Sequence, residues 1–515
     1  MIRRTFEPHV SQLEEPKLEF RYGQKLEYPR DGLFLYGPVD YVHAPKQINY
    51  GVIGTKSGVN FFERWVTSIQ SFINVPEPAK GSRALQPQNV AFPGFAEAFS
   101  ADWPRRPVCV VDGIDSAELD RTLRLESRHE AVHKTVMLYV SRLIHEHNRL
   151  DNPPALWFVI IPDSVYHFCR PQSKVALSER VKGDITITSR QAQRLRIQPT
   201  LFGEENEQLE VFDYALDFHN QLKALLLKEK IVTQILRETT LAPNEFLKRN
   251  NLPMRSVGDP AKIAWNVCTT AYYKAGGRPW QLADVRPGVC YVGLVYKRER
   301  SADNRWACCA AQMFLTDGDG IVFRGALGPW YNTERGDFHL DRSAAGEIVH
   351  MVIEEYREKF AAAPKELFIH SRSRFSRDEW DGFLEVTPRE TNLVGVQITK
   401  PKDMKLFRPG RYPVIRGTAL HVDAATSFLW TTGYVPRLDT YMGSETPNPI
   451  RISVVRGACP VRTVLEDVLR LTKINFNACS FSSGMPMTIK FADAVGNVLG
   501  AAPSSEPRLP FMFYI

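Results

Sequence analysis

The chain of 515 residues has no uninterrupted apolar run long enough to span a membrane. Its opening segment, MIRRTFEPHVSQLEEPKLEF, is charged and lacks the apolar core of a signal peptide. The eight cysteines are scattered, with only Cys308 and Cys309 close together. No CxxC pair suggests zinc and no dense framework suggests disulfides, so a reducing, cytoplasmic setting is the expectation. Internal repeats, low-complexity tracts and a GxGxxG dinucleotide fingerprint are also missing. What remains is an ordinary globular composition, 43% apolar and 24% charged, on a chain long enough for two domains or more.

Charge is concentrated in one place. Residues 219–280 hold ten lysines and arginines against four acidic residues, a balance of +6 in a chain whose total is +7. Four polar residues stand out there. His219 and Lys223 lie four apart in DFHNQLKALLLKEK, a spacing that puts them on one helix face. Gln234 follows in the apolar run IVTQIL, and Lys274 ends the helical pattern AKIAWNVCTTAYYK just before Ala275-Gly276-Gly277. Two lysines, an amide and an imidazole suit a terminal phosphate, which needs several donors converging on one dianion. Lysines on a helix are also the usual solvated face, so the residues alone leave both readings open.

The order of patterns along the chain places these residues. LEFRYGQKLEYPRDGLFLYGPVD reads as short strands and turns, and residues 75–107, rich in Pro and small side chains, as loop. VCVVDG reads as a buried strand, followed by one long helix from Ser116 to His147 and a second apolar strand, ALWFVIIP. A helix over 213–230, the strand IVTQIL and a helix over 260–274 complete the alternation, which argues for a parallel α/β layer. Ligands in such sheets sit beyond the carboxyl ends of strands. After Pro287, VCYVGLVYKRER, RWACCAAQMFLTD and GDGIVFRG read as three antiparallel strands. The amphipathic helix SAAGEIVHMVIEEYREKF, the strand KELFIHS, the serine-capped helix SRDEWDGFLE and the strand NLVGVQITK follow, the order of an RNase H-like fold.

HxxxK, then Gln, then a Lys closing a helix before Gly-Gly-x-Pro-Trp resembles the guide 5′-phosphate pocket in the MID domain of Argonaute proteins. Lys223, Gln234 and Lys274 match the family's Lys, Gln and Lys, while His219 takes a place usually held by an aromatic. Phe491-Ala492-Asp493 resembles the opening of the last helix of a PIWI domain. The chain as a whole is similar to a short prokaryotic Argonaute, without room for N-terminal and PAZ domains. The resemblance implies an α/β protein, with a Rossmann-like MID domain followed by an RNase H-like PIWI domain. Residues 1–284 would hold the lead-in strands and MID domain (core about 106–284) and residues 285–515 the PIWI domain.

RNase H-type cleavage needs acids that hold two divalent ions. Val295 and Ser371 stand where the resemblance places the first two aspartates, and only Asp493 matches the last. Glu347 and Glu354 read as surface charges of a helix, and Asp493 as a structural helix-start residue. The resemblance therefore implies a guide-binding protein that does not cut. It would use a 5′-phosphorylated guide RNA to recognise single-stranded DNA of plasmids or phage. A partner with an APAZ region and a sirtuin-like, TIR or nuclease effector would supply the response in defence. The resemblance also implies Mg²⁺ at the guide 5′ phosphate, with the terminal carboxylate of Ile515 as a ligand, a buried strand end being the alternative. Lys400, Lys402, Lys405, Arg408, Arg411 and Arg416 read either as tracking a nucleic-acid backbone or as solvated surface. An active guide-directed nuclease and a basic α/β protein for a small phosphorylated ligand remain the competing readings.

Overall fold

The computed structural model describes residues 7–515 apart from 77–87, 199–207, 256, 299–305, 315–319, 329, 333–336, 442, 444 and 504–508. Two sheets organise the chain. The first has four parallel strands in the order Cys109–Val111, Tyr50–Ile53, Leu156–Ile161, Thr233–Arg237. Every residue of LWFVII is buried, as expected of a parallel strand covered on both faces. Alternation divides it: Trp157, Val159 and Ile161 pack with the helices Arg128–Arg149 and Phe218–Leu227. Leu156, Phe158 and Ile160 face the helices Lys56–Ser68 and Pro260–Lys274.

The second sheet has nine strands. One half of it is RNase H-like: Val289–Arg298, Trp306–Phe314 and Gly320–Gly328 are antiparallel neighbours that run out to one edge. After the helix Arg342–Phe360, Glu366–Ser371 pairs parallel to Val289–Arg298, and Asn392–Thr399 pairs parallel to Glu366–Ser371. The helix Met487–Leu499 lies across this sheet at Gly293, where a Cβ would stand 2.2 Å from the Thr488 carbonyl oxygen. Only glycine allows that approach.

Several local expectations change. PRDGLFLY is a helix, Pro29–Tyr36, because Pro29 occupies the first helical turn and Leu33 supplies a buried side chain. Residues 75–107 are not all loop, since Phe95–Phe99 forms a short helix with Phe95 and Phe99 in the core. The parallel sheet starts well before residue 106, at Tyr50, whose strand lies between Cys109–Val111 and Leu156–Ile161. The long helix over 116–147 is two helices, Ser116–Leu123 and Arg128–Arg149, each with its own cap, at Asp115 and Ser127.

The lead-in crosses into the second sheet: His9–Gln12 pairs with Thr418–His421 as an edge strand. A buried charge cluster fixes it there. Glu15 accepts from Lys473 at 2.8 Å and from Arg416 at 2.9 Å. Arg416 is 3% exposed and Lys473 1%, so Arg416 belongs to this joint and not to a nucleic-acid surface. Burial alone would raise the Glu15 pKa, but the two cations more than reverse this and hold it below its usual range. Its contribution to stability is thus complete above the unfolded carboxylate value, about 4.3, and is lost as pH falls through the lower folded value. Glu15→Ala should destabilise the protein by about 3–5 kcal/mol in urea unfolding, because two cations stay buried without their anion. It should also flatten the acid limb of the stability profile. A change below about 1 kcal/mol, the range of exposed pairs, would contradict this role.

Candidate functional site

The structure brings Lys223, Gln234 and Lys274 together. Asp217 caps the Phe218–Leu227 helix by accepting from the Asn220 amide at 2.9 Å, and Lys223 projects from the second turn. Gln234 sits on the Thr233–Arg237 strand, which the expected run IVTQIL contains. Lys274 is the last residue of the Pro260–Lys274 helix, the end at which the helix dipole favours a cation. Both ammonium groups donate to the Thr233 carbonyl oxygen, from 3.2 Å for Lys223 and 2.9 Å for Lys274. Lys274 also donates to Gln234 Oε1 at 2.7 Å, and Lys223 to the Ile515 oxygen at 2.5 Å.

Each of these lysines is 2% exposed. Burial lowers the pKa of Lys223 to about 7. It lowers that of Lys274 as well, and the neighbouring Lys223 charge adds to the effect. The Thr233 carbonyl and Gln234 amide oxygens satisfy hydrogen bonds of the pair without carrying a charge, and the Ile515 oxygen, at the last residue, is the acceptor that brings negative charge to Lys223.

His219 does not join this trio. It is exposed one turn earlier, within 3.3 Å of Asn220 Oδ1, and lines an adjacent cavity of about 400 Å³. The surrounding protein and then the Lys223 and Lys274 charges lower its pKa, which favours a neutral ring. Tyr166, Arg170, Phe218, Ile235 and Arg237 also line this cavity. The Arg237 guanidinium lies 3.7 Å from the Tyr166 ring centre and the Arg170 guanidinium 4.3 Å from it. Asp163 orients Arg237 by accepting from its Nε at 2.8 Å, and accepts from Thr239 at 3.0 Å. The sequence reading missed this wall. Its signal was position: Asp163 and Tyr166 follow the buried strand Leu156–Ile161, at the carboxyl end where such sheets bind ligands.

In the second sheet, Val295 and Ser371 are buried on adjacent parallel strands, with Ser371 in register with Leu294. Asp493 is not a helix-start residue. It lies inside the Met487–Leu499 helix, and its carboxylate pairs with Arg372 and, at 3.2 Å, with Lys297. Glu347 is exposed and Glu354 pairs with Arg357 at 2.8 Å. Of the basic stretch, Lys400, Lys402, Arg408 and Arg411 are exposed, while Lys405 donates to the Thr446 carbonyl at 2.6 Å. Among the described residues, no helix is long and apolar enough to cross a membrane, and no cluster of three His, Cys, Asp or Glu could hold a metal.

Comparison with protein-family models finds no match, and neither does a search of curated sequences. Solved structures do match. The chain is similar to Clostridium butyricum Argonaute bound to a guide DNA with a 5′ deoxycytidine and a 19-mer target DNA. The TM-score is 0.59 at 14% identity, over 99% of this chain and 55% of that one. It is also similar to A. aeolicus Argonaute (TM-score 0.55, 13% identity, 97% and 54% covered). A structure of Aa-Ago with externally bound siRNA gives 0.55 at 14% identity, with 98% and 56% covered. The chain thus spans about half the length of these proteins. Its α/β fold, a parallel layer followed by an RNase H-like layer, is the fold of Argonaute MID and PIWI domains.

Burial of Lys223 sets one expectation. The side-chain carbon resonances of Lys223, followed by NMR, should titrate near pH 7. A transition at the ordinary lysine value of 10.5 would contradict the burial described.

Proposed function

We propose that this protein holds the 5′-phosphorylated end of a short guide strand and recognises a complementary strand by base pairing, without cutting it. The observation that carries this reading is the convergence of two buried ammonium groups and an amide at one point. A phosphate dianion there would accept from Lys223 and Lys274 and relieve their mutual repulsion. Gln234 would fix its orientation through the side-chain amide. The first base would enter the neighbouring cavity, where the exposed His219 ring offers a stacking surface. Similarity in fold to an Argonaute structure that holds a guide DNA and a target DNA supports the same assignment.

Absence of cleavage rests on Val295 and Ser371, which have no carboxylate, and on Asp493, whose charge is taken by two cations. RNA as guide, single-stranded DNA as target, and an APAZ-containing effector partner in antiplasmid or antiphage defence belong to the same proposal. They rest on the resemblance of the motifs. The Mg²⁺ expectation meets an obstacle in the donor set. Gln234 Oε1 and one Ile515 oxygen both accept from lysine ammonium groups, so a divalent ion there would compete with two cations for these oxygens.

A 5′-phosphorylated oligoribonucleotide should bind at least about a hundredfold more tightly than its 5′-hydroxyl counterpart, and Lys223→Glu with Lys274→Glu should abolish the difference. Equal affinity for the two oligonucleotides would refute the pocket. Binding should weaken as pH rises above about 7, because Lys223 must take up a proton to meet the dianion. It should also weaken below about pH 6, where the phosphate itself protonates. Calorimetry in buffers of different ionisation enthalpy would show proton uptake on the alkaline side. Adding Mg²⁺ or Mn²⁺ to guide and complement should yield no cleavage product.

A further inference from the structure

Between the strand Thr233–Arg237 and the helix Pro260–Lys274, residues 246–254 form a tight hairpin. Leu247 and Pro253 are antiparallel partners. The Lys248 amide donates to the Leu252 carbonyl at 2.7 Å, and the Met254 amide to the Phe246 carbonyl at 2.8 Å. Asn251 turns the chain at φ +59°, a left-handed conformation that asparagine tolerates better than most side chains. The tip held in this way is apolar yet open to solvent: Leu247 is 45% exposed, Leu252 59% and Met254 51%. Leu252 and Met254, two apart on one strand, share a face, and Lys248 stands across from Leu252 on that face. Scattered exposed aliphatic residues are ordinary, but three on one short, hydrogen-bonded turn mark a contact surface.

A groove lies beside the hairpin. It encloses about 300 Å³ between the Lys56–Ser68 helix and residues 240–245, with Trp65, Ile73, Leu241, Pro243, Pro260 and Ile263 as its apolar lining. Phe61 belongs to the same lining and meets Phe246 edge-on, ring centres 5.6 Å apart, so groove and hairpin are joined by apolar contact. A shallow depression continues the groove along the helix, sharing Phe61 and Arg64 and adding Glu63. The two parts carry opposite charge. Lys248 and Arg249 are exposed on the hairpin, and Glu63 and Glu245 on the groove side. Arg64 pairs with Glu245 at 3.0 Å, but both side chains are more than half exposed, so this pair adds little to the fold.

A projecting tip beside a recess of matching chemistry is an arrangement that a two-fold axis pairs reciprocally. We propose that this surface joins two copies of the chain, Leu252 and Met254 of each seated in the apolar groove of the other. Lys248 and Arg249 would then face Glu63 and Glu245 across the axis. The presence of both signs favours a second copy over other occupants. An anionic lipid surface or a nucleic acid would meet the two carboxylates, and a partner of one sign would leave one cluster unmatched. The inference is independent of the guide-binding reading. The hairpin connects the strand that carries Gln234 to the helix that carries Lys274, so the pair would bring two such regions into one assembly.

Sedimentation equilibrium of the full chain, without oligonucleotide and from about 1 to 100 µM, should show reversible monomer–dimer exchange. Leu252→Glu with Met254→Glu, at positions already exposed, should raise the dimer dissociation constant at least about tenfold. Glu63→Lys and Lys248→Glu should each weaken the dimer, and the chain carrying both should recover it, because the reversed charges meet again across the axis. Melting temperatures should match wild type in every variant, which separates a lost contact from a lost fold. A wild-type chain still monomeric at about 100 µM would overturn the proposal. A dimer that survives Leu252→Glu with Met254→Glu would overturn it too, as would a double charge reversal without recovery. If the wild-type chain is monomeric and the same two glutamates abolish copurification with a coexpressed effector, the surface serves a different protein and the proposal fails.

Discussion

Two lysine ammonium groups meeting at one buried carbonyl oxygen form the constraint on which the rest of the site depends. Burying a charge is costly unless it is paired, and like charges in a low-dielectric setting raise that cost. Lys223 and Lys274 nevertheless donate to the same Thr233 oxygen, and burial pulls the pKa of each down. In the proposed pocket, an incoming dianion would offset the like charges of this pair. Binding would then depend on proton uptake, which would tie affinity to pH through the protein as well as through the phosphate.

The scaffold explains how the pair is held. Lys223, Gln234 and Lys274 come from a helix, a strand and a second helix, on opposite faces of the four-stranded sheet. Rigid packing of both faces fixes the distances between them. The Ile515 oxygen reaches Lys223 from the far end of the chain, and the Glu15 cluster ties the lead-in to the second sheet. Residues remote in sequence thus stabilise one joint body around the pocket. In the second sheet the same logic of strand ends yields a different chemistry. Asp493 serves as a counter-ion to Lys297 and Arg372, so its carboxylate organises cations and is not left open to a metal.

Much of this was legible in the sequence because local and tertiary signals agreed. The helix expected over 260–274 is Pro260–Lys274, and its Asp259 cap and leading proline are strong start signals. The parallel layer, the RNase H-like strand order and the meeting of Lys223, Gln234 and Lys274 were also readable. Other features were not. PRDGLFLY carries the Gly and Pro of a turn, yet Pro at a first helical turn and one buried leucine decide for helix. The strand YGVI is too short for its period to be seen, and its place between two other strands is set only by tertiary packing. The role of Arg416 was misread because a basic residue in a loop-like stretch gives no hint of Glu15, some four hundred residues away. The pairing of Asp493 with Lys297 and Arg372 was hidden for the same reason, since ion pairs across a sheet edge have no sequence period.

The most direct measurement of the central claim is mass spectrometry of nucleic acid that copurifies with the protein from cells. The wild-type chain should carry short strands ending in a 5′ monophosphate, and the chain with Lys223→Glu and Lys274→Glu should carry none. Strands ending in a 5′ hydroxyl, or equal recovery from both proteins, would contradict it.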